Sequence, residues 1–341
     1  MVYLAHGGLP GVPLPSVPGG FGVTVFFFLS GFLITTLLRL EHEKNGSISL
    51  KKFYLRRALR IWPTFYLVLA AAWLANHVFG LSDSIDPWGI VAQVLHYTNY
   101  WIIENNFDGL PFGTGVYWSL AVEEHFYLLF PFLFILFARA GASRAQLAAC
   151  LFGACALILA WRLFIASQLD LSSYLATTRL ELASDTRFDS ILFGCALALF
   201  GNPSLDKTRF SERTWKYALL PLGVAGLLAS FLIRDEFIRG TVRYSLQGIC
   251  LIPVFVCAIR YPDWVVIRPL NFRPIAFLGT LSYSIYLVHQ TVIAVVGGTL
   301  GGTVADATLG MINAVVCVGI ACLLYVAIEK PCGRLRRRLH A

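Results

Sequence analysis

The sequence predicts an all-α, polytopic integral membrane protein, a helical bundle with nine to ten transmembrane helices. Of its 341 residues, 57% are hydrophobic and only 13% are charged, whereas soluble domains carry about 25% charged residues. A spanning helix needs about 20 mostly apolar residues, and stretches of this kind follow one another along the whole chain. The opening residues MVYLAHG read as the end of one more helix, so we expect the first helix to be truncated.

The nine complete spans are expected near residues 21–39, 61–80, 118–138, 145–166, 188–201, 216–233, 244–260, 275–297 and 307–329. The span at 188–201 is short and contains Gly194, which leaves its ends undefined. Residues 87–103 are apolar and aromatic, and Trp and Tyr favour the headgroup level. We therefore expect 87–103 to be interfacial or re-entrant. The whole chain, 1–341, is predicted to be one domain with a basic tail at 330–341.

The distribution of positive charge predicts the topology. Most of the 27 Lys and Arg lie in connections that alternation places on one side, whereas residues 81–117 contain neither. By the positive-inside rule, the basic side and the C-terminus are cytoplasmic. We expect a multi-pass protein of the inner (plasma) membrane. The net charge of +8 then requires no nucleic-acid partner, and the basic run after Gly333 is expected to face anionic lipid.

The eight cysteines lie in or beside apolar runs, and no two have CxxC spacing. No cluster of His or carboxylates accompanies them, so we expect neither a disulfide framework nor a metal site. They are interpreted as small buried hydrophobic residues.

Two candidate sites involve basic or titratable residues near helix ends. His6 ends the opening stub, and a neutral imidazole suits a general base; an interfacial histidine without a function is the alternative. Arg60 follows Arg57 by three residues and Arg56 by four, so all three lie close together on one helix surface. At a cytoplasmic helix N-terminus they could hold a phosphorylated ligand, or they could only set the topology.

Three further groups of polar residues lie in predicted spans or just before them, the first two toward the outer half of the membrane. Ser119, Glu123 and Tyr127 form one helical stripe, and a carboxylate there could orient a histidine, unless it only touches interfacial water. Arg187 and Asp189 could pair with each other or bind sugar hydroxyls.

The third group is a polar stripe of Ser282, Tyr286 and His289 in an otherwise apolar helix. Helix–helix hydrogen bonding explains this stripe equally well. Glu329 is expected to pair with a cytoplasmic arginine.

Six blocks of sequence together resemble the membrane acyltransferase type 3 family. They follow the family's order over nearly the whole chain: GGFGVTVFFFLSGFLITTLL, ISLKKFYLRRALRIWPTFYL, YWSLAVEEHFYLLFPFL, TRFDSILFGCALA, LGTLSYSIYLVH and IEKP. The resemblance implies transfer of an acyl group, often acetyl, from a cytoplasmic donor of the acyl-CoA type to a hydroxyl. The implied acceptor is a carbohydrate or glycolipid, such as O-antigen, exopolysaccharide, peptidoglycan, a lipo-oligosaccharide or a glycosylated metabolite.

The resemblance also implies roles for individual residues. His6 matches the family's essential histidine, while the arginine that precedes it by ten residues in the family would lie before Met1. We expect His6 to act as base or as a covalent relay, with Glu123 orienting it. The three arginines are expected to bind the donor. Acceptor binding or oxyanion stabilisation is expected from Trp118, Ser119, Arg187, Asp189, Ser282, Tyr286 and His289.

Two other functions fit the same residues. A transporter or flippase would use intramembrane charges for a substrate path and would not consume acyl-CoA. A non-catalytic membrane partner would tolerate loss of His6 and Glu123 together. No bound cofactor is expected, acetyl-CoA being a co-substrate. The loops 81–117 and 162–187 are expected to carry acceptor specificity.

Overall fold

The computed structural model describes residues 19–82 and 84–339, and this part of the chain forms helices and connections without a strand. His6 lies outside the described residues. The helices are α1 Gly19–Asn45, α2 Leu50–Phe79, α3 Pro87–Val94, α4 Thr98–Asn105, α5 Trp118–Arg139, α6 Arg144–Gln168, α7 Tyr174–Leu182, α8 Ser184–Leu199, α9 Glu212–Leu232, α10 Glu236–Gly240, α11 Val242–Arg260, α12 Arg273–Leu300 and α13 Asp306–Arg338.

Eight of these helices are long and apolar enough to cross a membrane: α1, α2, α5, α6, α9, α11, α12 and α13. The prediction of an all-α polytopic membrane protein is therefore confirmed. Residues 87–103 form parts of two helices of eight residues each, too short to span the hydrocarbon layer. An interfacial or re-entrant position of this stretch stays a prediction.

Helix α2 begins well before the apolar stretch that predicted it. The Ser49 hydroxyl accepts a hydrogen bond from the Lys52 amide at 3.3 Å, which caps the helix at its start. Gly80 ends it in the left-handed conformation, with φ of 60°. The polar turns that carry the three arginines are consequently part of the same helix as the membrane span.

Helix α8 is short because protein surrounds it. It has 16 residues, so it is not among the eight long helices, and almost every side chain on all of its faces is buried. It packs against α6 and α11. A helix enclosed in this way does not have to match the thickness of the bilayer. Its polar residues, which include Arg187 and Asp189, therefore lie inside the protein.

The described chain forms two compact units. One contains Ser49–Trp118 and the residues from Arg273 onward, and here α12 packs on both α2 and α13. The other contains Gly22–Ile48 and Ser119–Phe272, and here α8 packs on α6 and α11, and α11 packs on α9. We refer to them as the first and the second unit.

Two glycines allow α1 and α8 to approach closely within the second unit. A Cβ on Gly31 would lie 2.1 Å from the carbonyl oxygen of Ile191. A Cβ on Gly194 would lie 2.0 Å from the carbonyl oxygen of Phe28. Because these neighbours are backbone atoms, they cannot turn away as a side chain would. Small residues here have the role that they commonly have between membrane helices.

An ion-pair cluster fixes the connection after α8 to the end of α1. The buried Arg39 guanidinium donates to both Asp206 carboxylate oxygens, at 2.9 and 2.5 Å, and to the Glu43 carboxylate at 2.9 Å. Hydrogen bonds from Arg39 are the main reason that the pKa of the Asp206 carboxyl is lowered from its ordinary 3.8. The cluster therefore ties residues far apart in sequence into the second unit.

Replacing Gly194 with alanine should destabilise the second unit, because the new methyl group meets the Phe28 carbonyl. Overpacking of this kind costs about 1–3 kcal/mol. Thermal unfolding in detergent should show a lower midpoint for Gly194→Ala. Gly153→Ala is the matched control, since a Cβ there meets nothing within 4 Å. Equal midpoints for the two variants would contradict the close approach of α1 and α8.

Stability should depend on the charge of Asp206 in acid. Because the pKa of this carboxyl is lowered in the folded state, the ion pair stabilises the fold above about pH 4. Its contribution is lost as the pH falls through the folded-state pKa. At pH 7, Asp206→Asn should lower the unfolding midpoint by about 2–4 °C, and the difference from wild type should shrink toward pH 3. The exposed Asp263→Asn is the control, and a difference that grew in acid would contradict the assignment.

Candidate active site

The arginines predicted to bind the donor lie on α2 in the first unit, at different depths. Arg56 is buried, Arg57 is half-buried and Arg60 is exposed. Because α2 begins at Leu50, all three lie beyond its first turn, and the helix dipole acts mainly within that turn. The expected contribution of the helix N-terminus to an anion site is therefore wrong. An anion here would be bound by the arginine guanidinium groups and not by the backbone amides of the helix N-terminus.

A further arginine joins this cationic surface from the C-terminal part of α13. This part of α13 packs against α2, and the half-buried Arg336 lies close enough to Arg60 for their charges to repel. Arg337 adds to the repulsion. We use the name donor surface for Arg56, Arg57, Arg60 and Arg336. A concentration of like charge on one surface favours a multiply charged anion.

The predicted helical stripe of α5 faces the protein interior. Ser119, Glu123 and Tyr127 are all buried, and Glu123 is only 2% exposed. The Tyr127 hydroxyl and the Ser30 hydroxyl share a hydrogen bond of 2.5 Å, which ties α5 to α1 within the second unit. Trp118, at the start of α5, is also buried. A carboxylate at such a position is costly in a membrane protein, which makes Glu123 a functional candidate by default.

The residue beside this stripe anchors α5 to the start of α8. The His125 Nδ1 atom lies 2.7 Å from the Ser184 hydroxyl oxygen. Ser184 is the first residue of α8 and is buried. This contact holds the first turn of α8 against the helix that carries Glu123.

Asp189 belongs to a buried polar cluster that links three helices of the second unit. Its carboxylate accepts hydrogen bonds from the Arg162 guanidinium and, at 2.6 Å, from the Ser245 hydroxyl. The Ser190 amide donates to the other carboxylate oxygen at 2.9 Å. Asp189 forms its direct ion pair with Arg162, and its charge also attracts that of the neighbouring Arg187. With both oxygens occupied, Asp189 has a structural role in this arrangement.

Arg187 is fully buried, and its guanidinium contacts aromatic rings. Its guanidinium lies 3.8 Å from the centre of the Tyr244 ring and 5.6 Å from that of Phe27. It also donates to the Thr24 hydroxyl at 3.1 Å. Stacking on aromatic faces stabilises a desolvated guanidinium. Arg187 thereby links α8 to both α1 and α11.

The three residues of the polar stripe predicted on α12 differ in how deeply they are buried. Ser282 is exposed, whereas His289 is buried and Tyr286 half-buried. The Tyr286 hydroxyl donates to the Val116 carbonyl at 2.6 Å, and His289 Nδ1 lies 2.7 Å from the Tyr286 carbonyl. The Tyr286 contact joins α12 to the segment before α5, whereas the His289 contact lies within α12 itself. Glu329 accepts a hydrogen bond from the Ser284 hydroxyl at 2.5 Å, and its charge also attracts that of Arg336.

Sequence analysis missed Arg162 and Ser245 as site residues. The signal for Arg162 was present, because it interrupts the apolar run LILAWRLFIA, and an ionisable residue within a span needs a partner. Ser245 gave no such signal, since a serine is common in membrane helices. Only the packing of α6, α8 and α11 reveals that it completes the cluster.

Comparison with known proteins identifies relatives over nearly the whole chain. A family model described as an acyltransferase domain matches residues 1–328. The chain is 30% identical over 327 residues to the peptidoglycan O-acetyltransferase OatA of Listeria monocytogenes. The aligned residues cover 92% of this chain and 51% of that relative. It is 29% identical over 298 residues to the O-acetyltransferase OatA of Staphylococcus aureus, covering 82% and 47% respectively.

The chain thus spans about half the length of the curated relatives that it matches. No solved structure matches it.

Removing Asp189 should strongly destabilise the second unit, because it leaves the Arg162 charge buried without its carboxylate. Breaking a buried pair from one side costs about 3–5 kcal/mol. The double variant Arg162→Leu/Asp189→Leu removes both charges and should recover much of the stability that Asp189→Leu alone loses. Thermal unfolding of the two single variants and the double variant measures this coupling. Strictly additive losses would contradict the pair.

Proposed function

The chain belongs to the membrane acyltransferase type 3 family, and we propose that it transfers an acetyl group from acetyl-CoA to a carbohydrate hydroxyl. Its class is that of acyltransferases for groups other than amino-acyl groups. The observation that carries the proposal is the match of 92% of the chain to a relative named as an O-acetyltransferase. The polytopic helical fold and the ionisable residues inside it support the same conclusion.

The donor surface supports a CoA thioester as the acyl donor. Coenzyme A carries several phosphate groups, and arginine binds phosphate through charge-assisted, often bidentate hydrogen bonds. Arg60 and Arg336 approach each other closely enough to repel, so binding of an anion between them would remove that repulsion. We place this surface on the side that the positive charges predict to be cytoplasmic.

In the proposed reaction, His6 is the base and Glu123 stabilises the charge of the protonated histidine. His6, outside the described residues, would take the proton from the acceptor hydroxyl as its oxygen attacks the thioester carbonyl. The new C–O bond forms, the C–S bond breaks, and His6 returns the proton to the departing CoA thiolate. Buried Glu123 would orient His6 and balance the charge of the imidazolium.

The tetrahedral intermediate requires a donor for its oxyanion. Sequence analysis offered Ser119 and Tyr286 for this role. Our proposal assigns the role to Ser119, because it is buried on the same helical stripe as Glu123.

The acceptor is proposed to be a glycan exposed on the outer face of the membrane. The Listeria relative is named for acetylation of peptidoglycan, a polymer of sugars that lies outside the plasma membrane. Peptidoglycan is therefore the first acceptor to test, ahead of other surface polysaccharides.

Replacing Glu123 with glutamine should abolish most of the acyl transfer, because the amide cannot stabilise an imidazolium. We expect a rate loss of about 10²-fold or more in membranes supplied with radiolabelled acetyl-CoA and peptidoglycan strands. The neighbouring, half-buried Glu124→Gln is the control and should stay within about threefold of wild type. His6→Ala should lose transfer as Glu123→Gln does. Full activity in His6→Ala would contradict the assigned base.

Neutralising one arginine of the donor surface should weaken donor binding selectively. Hydrogen bonds between charged groups contribute roughly 1.5–3 kcal/mol, so Arg60→Gln should raise the KM for acetyl-CoA about tenfold or more. The KM for the glycan should not change. Lys51→Gln removes an exposed charge from the same helix and serves as the control. An effect of equal size in both variants would indicate general electrostatics rather than a phosphate site.

A further inference from the structure

A cavity of about 380 Å³ opens in the first unit, between the segment before α5 and the outer part of α12. Its walls combine aromatic and aliphatic side chains with one amide: Phe107, Leu110, Pro111, Phe112, Gly113, Gly115, Gln290 and Ile293. The segment belongs to 81–117, which lacks Lys and Arg and is predicted to lie outside the membrane. The volume and composition are typical of a small-molecule site.

Hydrogen bonds from neighbouring side chains fix the backbone of Phe112, which forms one wall of the cavity. The Phe112 amide donates to the Asn76 side-chain oxygen at 2.7 Å and to the Ser82 hydroxyl at 3.0 Å. Asn76 is buried and also donates to the Phe112 carbonyl at 3.3 Å. The Phe112 ring nevertheless remains 56% exposed. A fixed backbone that presents an exposed aromatic ring is preorganised for a contact that this chain does not itself make.

A second aromatic wall is maintained at an energetic cost. Phe107 has φ of 67°, in the left-handed region that a bulky residue rarely adopts. Gly115 makes room for its ring, because a Cβ there would lie 2.8 Å from a Phe107 ring carbon. Conformations of this kind persist where surrounding structure enforces them, and they concentrate at functional sites.

The third wall brings a polar group to the cavity. Gly113 has φ of 86°, and a Cβ on it would lie 2.6 Å from the Thr291 amide nitrogen. The segment therefore lies directly against the α12 backbone, with Gln290 lining the cavity. A glutamine amide has two hydrogen-bond donors and an acceptor. It can bind a hydroxyl or an acetamido group in an otherwise apolar site.

We propose that this cavity is a subsite for a sugar ring of the acceptor glycan. A pyranose presents C–H groups on its ring faces, which suit the exposed Phe112 and the adjacent Phe107, and polar substituents at its edge, which suit Gln290. This inference rests on the proposed acetyl transfer to a glycan and adds where that glycan is held. Phe107, Phe112 and Gln290 are acceptor-binding residues and need not touch the reacting atoms.

The test measures binding and transfer separately in the full chain reconstituted in nanodiscs. The probe is fluorescent chitotetraose, a soluble oligosaccharide whose rings carry acetamido groups. Wild type should bind it, Phe112→Ala should weaken binding about tenfold, and Phe112→Tyr should restore it. Trp88→Ala, which removes an exposed aromatic ring of α3 outside the cavity, should bind as wild type does. The thermal unfolding midpoints confirm that each variant is folded.

The outcomes separate this subsite from the proposed function. Absence of chitotetraose binding in wild type, or equal binding by wild type and folded Phe112→Ala, would overturn the subsite whether or not acetyl transfer occurs. Binding that depends on Phe112 would support it even if acetyl transfer failed, in which case the proposed function would fall alone. Where transfer proceeds, Phe112→Ala should raise the KM for the glycan and leave the KM for acetyl-CoA unchanged.

Discussion

The absence of water in the membrane interior is the constraint on which this architecture depends. A charge or polar group there must find its partner within the protein, because lipid provides none. Arg162, Asp189 and Ser245 satisfy one another across three helices, and Arg187 stacks on Tyr244. These contacts allow α8, a helix with charges, to occupy the interior of the second unit.

Burial of α8 in turn requires close helix approach, which explains the glycines at its contact with α1. Gly31 and Gly194 bring the two backbones together, and His125 holds the first residue of α8. The polar residues therefore have two different kinds of role. Asp189 and Arg162 hold helices together, whereas Glu123 lies on a separate stripe and is the carboxylate that we assign to the reaction.

The sequence was sufficient for features that depend on local pattern. Apolar stretches predicted the long helices, and spacing placed Ser119, Glu123 and Tyr127 on one buried stripe. Features that depend on distant residues could not be predicted. The partner of Asp189 lies on another helix, the burial of α8 follows from its neighbours, and the start of α2 depends on the Ser49 cap rather than on hydropathy. The conformation of Phe107 is likewise set by packing against Gly115.

We propose that an acetyl group passes from a donor on the side of Arg60 and Arg336 to a glycan on the opposite side. Sealed proteoliposomes with the chain in one orientation test this directly, with acetyl-CoA supplied to one side and peptidoglycan strands to the other. We predict acetylated glycan only when acetyl-CoA is on the side of the C-terminal arginines. Equal product with the two substrates exchanged, or product only in that reversed arrangement, would contradict it.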